Sequence, residues 1–261
     1  MGNEFKIALY IDGSNVTAVS IGNTQHQGMR EYQEDSFGYT NLNQSNIQET
    51  GFAAIVSDGM GGLSSGDKVS RYAVSALSEA IERFDRSVSV DVFFRNAFND
   101  INNAVSSGDT GGGATLSAVY CTQKGIFWGS TGDSRIYFCR RNKLYQLSHD
   151  FDYMDMLLDR VIASEITMDE ALENPKKDTL AAYIGSGEYL SPDVALKPLL
   201  PYAGDRILMC SDGVYNALSE DELLSCFVNG AQNSADLIGQ AVLNKGYRNQ
   251  DNFTAIVLEF K

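Results

Sequence analysis

The chain has 261 residues, a hydrophobic content of 43% and a formal net charge of −14. That length allows one large domain or two small ones around a sizeable core. The charge argues against nucleic acid or an anionic membrane as the main partner.

The first residues, Met1 to Lys6, carry no signal-peptide pattern, and Lys6 stands where myristoylation of Gly2 wants Ser or Thr. No apolar run approaches the length of a membrane span. The cysteines, Cys121, Cys139, Cys210 and Cys226, are scattered without a Cys-x-x-Cys pair. They read as buried thiols of a reducing compartment, so a cytoplasmic protein is the expectation.

Phe5 to Ile11 and Val16 to Ile21 flank the turn Asp12-Gly-Ser-Asn15 and predict a hairpin. A polar segment, Thr24 to Glu34-Asp35, leads to a further strand-like piece, and Asn41 to Thr50 reads as a loop. Phe52 to Val56 is a buried strand that ends in Ser57-Asp58 and the glycines Gly59, Gly61 and Gly62. Glycines allow backbone angles and close approaches that a side chain forbids. An acid beside bare carbonyls suits a hard cation, although Asp-Gly is equally a common turn.

Apolar residues at helical spacing predict helices over 66–84, with Ser64 or Ser65 as cap, and over 90–107, with Gly108 as terminator. Leu116 to Thr122, Ile126 to Thr131, Ile136 to Arg140 and Leu144 to Leu147 read as one antiparallel meander. Asp152 and the box Thr167-Met-Asp-Glu170 start polar helical segments that form a surface insertion. Arg206 to Cys210 is a strand running into Ser211-Asp212-Gly213. The box Ser219-Glu-Asp-Glu222 opens two helical patches, the second ended by Gly246, and Phe253 to Phe260 closes the chain as a strand. No repeat or linker interrupts the sequence, which predicts a single domain over 1–261.

Two apolar runs end in Ser-Asp-Gly, at Asp58 and Asp212, and Asp251 precedes the last strand. Glu34-Asp35 and Asp133 add further acids. Carboxylates that converge repel, and bound divalent metals resolve the repulsion. Oxygen-only donors suit magnesium or manganese, not zinc or copper.

Arg30-x-x-x-Glu34-Asp35, Asp58-Gly-Met-Gly-Gly62, Gly112-Gly-Ala-Thr115, Gly132-Asp133-Ser-Arg135, Ser211-Asp212-Gly213 and Asp251-Asn252-x-Thr254 stand in one order along nearly the whole chain. This set resembles that of the metal-dependent type 2C protein serine/threonine phosphatases (PPM family), and Met60 and the chain's compactness fit the bacterial branch. The resemblance implies an α+β fold, a four-layer α-β-β-α sandwich. Two antiparallel sheets pack between helix pairs, with a flap at about 150–190.

It also implies roles. Asp58 bridges two Mn2+ or Mg2+ ions with the Gly59 carbonyl on one; Asp212 and Asp251 complete the other. Glu34 and Asp35 hold metal-bound waters, Asp133 helps bind a third ion, and Arg30 clamps the substrate phosphate. A water between the metals attacks phosphorus in line, with no covalent intermediate. The implied partners are phosphorylated proteins and an opposing bacterial serine/threonine kinase, with no nucleic acid, no membrane and a monomeric state. The sequence departs at Met60, where many members carry His, and at Leu63; His26 and His149 fall outside the motif positions and are left out. The alternative, a catalytically silent phosphoprotein-binding module, would show losses among the metal acids, and none is seen.

Overall fold

A computed structural model describes residues 4–42, 46–61, 65–108, 111–177 and 179–261. Gly2, Gly62, Leu63 and Ser64 lie outside the described residues. The chain starts with strands β1 (Phe5–Ala8), β2 (Ala18–His26) and β3 (Ser36–Thr40), then a short helix α1 (Ile47–Thr50). Strand β4 (Phe52–Ser57) runs into the two-residue β5 (Gly59–Met60), followed by the long helices α2 (Gly66–Glu82) and α3 (Val90–Ser106). Next come β6 (Gly113–Ala114), β7 (Leu116–Thr122), β8 (Gly125–Thr131), β9 (Arg135–Arg140) and β10 (Lys143–Gln146). The segment after β10 carries α4 (Tyr153–Ile162) and α5 (Met168–Leu172) and leads to β11 (Asp193–Val194). The last elements are β12 (Arg206–Cys210), α6 (Asp212–Tyr215), α7 (Glu220–Cys226), α8 (Ala231–Asn244) and β13 (Phe253–Phe260).

Two antiparallel sheets form the centre. One has the order β1-β2-β13-β12-β9-β10, the other β11-β8-β7-β4-β3. Strand alternation explains the layers. Phe52, Ala54 and Val56 of β4 meet Ile207, Met209, Ile256 and Leu258 between the sheets. Ala53 and Ile55 face the other way, against Val69, Leu77, Phe94 and Phe98 of α2 and α3. Leu208, Cys210, Ala255 and Val257 pack on Leu223, Ala235, Ile238 and Val242 of α7 and α8. Three apolar interiors separate four layers, as the resemblance implied.

Local signals held. Asp152 accepts from Asp155 N at the start of α4, and both capping boxes form, at Thr167 and Ser219. Helix α2 starts at Gly66 with Ser65 at its N-cap position. Gly246 follows α8 with φ +63°. All four cysteines are buried and free. Among the described residues no helix is long and apolar enough to cross a membrane.

Non-local readings needed correction. The run from 116 to 147 is not one meander: β7 pairs with β8 and β9 with β10, but the two pairs belong to different sheets. The chain crosses between sheets at 132–134, where Gly132 (φ +88°) leaves no room for a Cβ beside Thr115. Strands buried on both faces read alike in either sheet, so the pattern could not reveal the crossing. The first strand ends at Ala8, short of Ile11, and β2 continues through Thr24-Gln25-His26 to pair with β13. The loop 41–50 contains α1.

Candidate active site

Asp58 leaves the end of β4 and Asp212 the end of β12, so one acid comes from each sheet. Together with Arg30, Glu34, Gly59, Asp133 and Asp251 they line a cavity of about 280 Å3, which Met60 and Leu180 also border. Asp35 is buried behind it, 4% exposed. Its Oδ2 accepts from Ser211 Oγ and Thr254 Oγ1, both at 2.7 Å. Every sequence-predicted site residue therefore meets at one end of the sandwich. His26 and His149 stay outside: His26 stacks on Phe253, and His149 Nε2 lies 2.7 Å from Asp155 Oδ2.

The acids strain one another. Burial, then the charges of Asp35, Asp212, Asp133 and Asp251, push the Asp58 carboxyl well above its ordinary range. Burial and the charges of Asp133, Asp251 and Asp35 raise Asp212 to about 7. Burial raises Asp35 to about 6 against its two hydroxyl donors, and burial also raises Asp133 and Glu34. Glu34 Oε1 and Asp35 Oδ1 are buried with no hydrogen-bond partner. Among the described residues no three acids already stand as a closed ligand cage around one point. Yet carboxylates raised by mutual repulsion and buried oxygens lacking a donor both call for positive charge. The donors are all oxygen, so the residues fit a hard divalent cation. Among the described residues Arg30 brings the one guanidinium of the lining, and its Nη2 donates to Asp251 Oδ2 at 2.5 Å.

A family profile described as protein phosphatase 2C matches residues 23–247. The chain belongs to the protein phosphatase 2C family. It is a protein phosphatase, a hydrolase of phosphoric monoesters. It is similar to the serine/threonine phosphatase Stp of Listeria monocytogenes, 27% identical over 90% of this chain and 93% of that one. Among solved structures, PppA of Pseudomonas aeruginosa, described as a key regulatory component of T6SS, superposes with a TM-score of 0.72. It is 26% identical, over 94% of this chain and 99% of that one. The S. agalactiae serine/threonine phosphatase shares the fold with a TM-score of 0.75, at 23% identity over 93% and 100% of the two chains.

In this phosphatase, residues with no role assigned from the sequence hold the acids in place. Asp58 N donates to Thr115 Oγ1 and Asp58 O accepts from Thr115 N, each at 2.8 Å. Ser57 Oγ donates to Thr115 O, and Thr115 Oγ1 shares a 2.7 Å bond with Ser134 Oγ. On the other sheet Ser211 N donates to Thr254 O while Thr254 N donates to Ser211 Oγ. Both Ser-Asp strand ends are thus locked by a threonine, Thr115 just before β7 and Thr254 on β13. Asn252 ties down the segment carrying Arg30: its Oδ1 accepts from Glu34 N and its Nδ2 donates to Gln27 O and Tyr32 O. Arg135 serves structure, bonding Asp150 and Tyr137 and lying 3.7 Å over the Tyr215 ring. Burial pushes the Tyr215 phenol up, and the charges of Asp133 and Asp212 add to that.

Glycine is needed for space where α2 passes the Asp58 turn. A Cβ on Gly59 would stand 2.3 Å from Gly66 O, and one on Gly66 would stand 2.5 Å from Glu34 Oε1. This close passage brings the start of α2 against the Asp58 turn. Thr115, Ser211, Asn252 and Thr254 all sit inside the motif strings, which was the available signal for them. Tyr215 had none.

Proposed function

We propose that this phosphatase removes phosphate from phosphoserine and phosphothreonine in proteins, with two core Mn2+ or Mg2+ ions. The observation that carries the reading is the meeting of Asp58 and Asp212, from strand ends of opposite sheets, with Asp133 and Asp251 beside them and the carboxyls of Asp58, Asp212 and Asp133 raised. Asp58 would hold both ions, the Gly59 carbonyl one of them, and Asp212 and Asp251 the other. Asp133 would help bind a third, and Glu34 and Asp35 would accept hydrogen bonds from waters of the ions' shells. Bound ions would activate water and offset charge on the phosphoryl oxygens.

The chain's own residues do the rest. Arg30 offers a planar fork that suits two phosphate oxygens and orients the phosphoryl group. The strand-end locks at Thr115 and Thr254 fix where the carboxylates stand, so little reorganisation is needed as charge develops. Met60 lines the cavity and has no proton to give, so the leaving serine oxygen takes its proton from solvent or another group. The phosphatase forms one domain over 1–261, with a flap at about 150–190 beside the site, and works as a cytoplasmic monomer on the targets of a bacterial serine/threonine kinase. The relatives named serine/threonine phosphatases support the substrate class.

Purified protein with manganese should hydrolyse p-nitrophenyl phosphate and a phosphothreonine peptide. Asp58→Asn should lower kcat by at least about 100-fold, because the ligand shared by both ions loses its charge. An Asp58→Asn protein as active as wild type sinks the metal assignment. A wild type that neither turns over substrate nor binds manganese by calorimetry supports the silent phosphoprotein-binding module instead.

A further inference from the structure

A second cavity of about 380 Å3 adjoins the catalytic one. Arg30 and Asp251 line both, so their ion pair is the wall between the two. Asn216, Tyr247, Asn249 and Gln250 build its other sides. These are uncharged hydrogen-bonding groups. Asn216 and Gln250 are in use: Asn216 Nδ2 donates to Asp212 Oδ2, and Gln250 Nε2 donates to Gly213 O. Tyr247 and Asn249 are exposed and remain available.

Charge favours an anion here. The segment 245–250 contains Lys245 and Arg248 and no acid, in a chain whose net charge is −14. Lys245 is paired with Glu222, whereas Arg248 is exposed and enters no ion pair among the described residues. Among the described residues the one carboxylate of the lining is Asp251, already bonded by Arg30. A basic side chain would find no free carboxylate there among the described residues.

We propose that this second cavity is a specificity subsite for an acidic side chain flanking the phosphoserine or phosphothreonine of a protein substrate. The inference rests on Arg30 clamping the phosphate. A residue next to the phosphorylated one has its Cα only about 3.8 Å further along the chain. With the phosphate on Arg30, that neighbour reaches the cavity on the arginine's other side. The Tyr247 hydroxyl and the Asn249 amide then donate to its carboxylate, and Arg248, between them in the chain but outside the lining, adds positive charge to that segment. Such charge-assisted bonds discriminate against a neutral or basic residue that cannot accept them.

The test uses phosphothreonine peptides that differ only in Asp, Ala or Lys at the flanking positions, with p-nitrophenyl phosphate as a substrate too small to reach the cavity. Wild type should show a KM for the Asp peptide about 5- to 10-fold below that for Ala, the equivalent of roughly one net hydrogen bond. Tyr247→Ala, Asn249→Ala and Arg248→Ala should shrink that preference while leaving hydrolysis of p-nitrophenyl phosphate, and hence the fold, unchanged. Equal KM values for Asp and Ala peptides, or a preference that survives all three variants, overturn the subsite while the phosphatase reading stands. A wild type inactive on p-nitrophenyl phosphate brings down that reading and the subsite with it.

Discussion

Asp58 and Asp212 owe their chemistry to each other as much as to their own carboxyls. The raised values set a pH dependence whose sign can be worked out. Asp212 is lifted to about 7 and Asp35 to about 6, against an ordinary value of 3.8. Below pH 4 these groups are protonated in folded and unfolded chains alike, and the site costs nothing. As pH rises from 4 to 7 the unfolded chain loses these protons first, so stability drains from the folded state through that window. Above it the folded site is charged and the cost is complete. Manganese should reverse the loss, since cations replace the missing protons. The gain in Tm on adding manganese to chelator-treated protein should therefore be larger at pH 8 than at pH 5, and smaller in Asp212→Asn. An equal gain at both pH values would count against mutual repulsion as the site's main cost. At this scale the sequence showed the donor types and their motif strings. It could not show that Asp35 sits behind the cavity, held by Ser211 and Thr254, because those partners are brought in by sheet pairing.

Elements were legible where their signals are local. The 3.6-residue spacing of α2 and α3, the Asp152 cap and both capping boxes involve residues within a turn of one another, so the sequence contains the whole interaction. Contacts between elements were not legible, and Gly22 illustrates why. In β2 it looks like an ordinary weak point of a strand. In the fold, α8 lies directly on it: an added Cβ would stand 2.3 Å from the Gln232 backbone. The Gln232 side chain also brackets Asn23, accepting from its N and donating to its O. Gly22→Ala should push α8 off the sheet and cost about 1–3 kcal/mol, as overpacking does. Thermal unfolding should show the drop, while Gln240→Ala, on the exposed side of α8, should stay within about 0.5 kcal/mol of wild type. Equal losses would mean the strand–helix approach is looser than the structure shows.

For the whole molecule, the interior between the two sheets draws its residues from both ends of the chain, from Ile7 to Phe260. Leu258 is fully buried there, among Ile21, Phe138 and Ile207. Leu258→Ala should destabilise by about 2–5 kcal/mol, the sum of lost transfer energy and a cavity. In a chain of this size that lowers Tm by roughly 2–4 °C for each kcal/mol. Tyr145→Ala, half-exposed on the edge strand β10, should stay within about 0.5 kcal/mol of wild type. The two variants measured side by side by thermal unfolding test whether the sandwich interior, and not the sheet edge, sets the stability.

The sequence by itself determined the donor chemistry, the family motifs in order, the helices and their caps, because each is written in neighbouring residues. It also determined that strands such as Phe52 to Val56 are buried on both faces. Only the tertiary structure decided which sheet each strand joined, that the chain crosses between sheets at Gly132, and that the ends of β4 and β12 face one another. The physical reason lies in the range of the contacts. Ser211 and Asp35 stand 176 residues apart along the chain yet share a hydrogen bond. A carboxylate's neighbours, and with them its charge and its affinity for a cation, are set by the register of two sheets that no local pattern encodes.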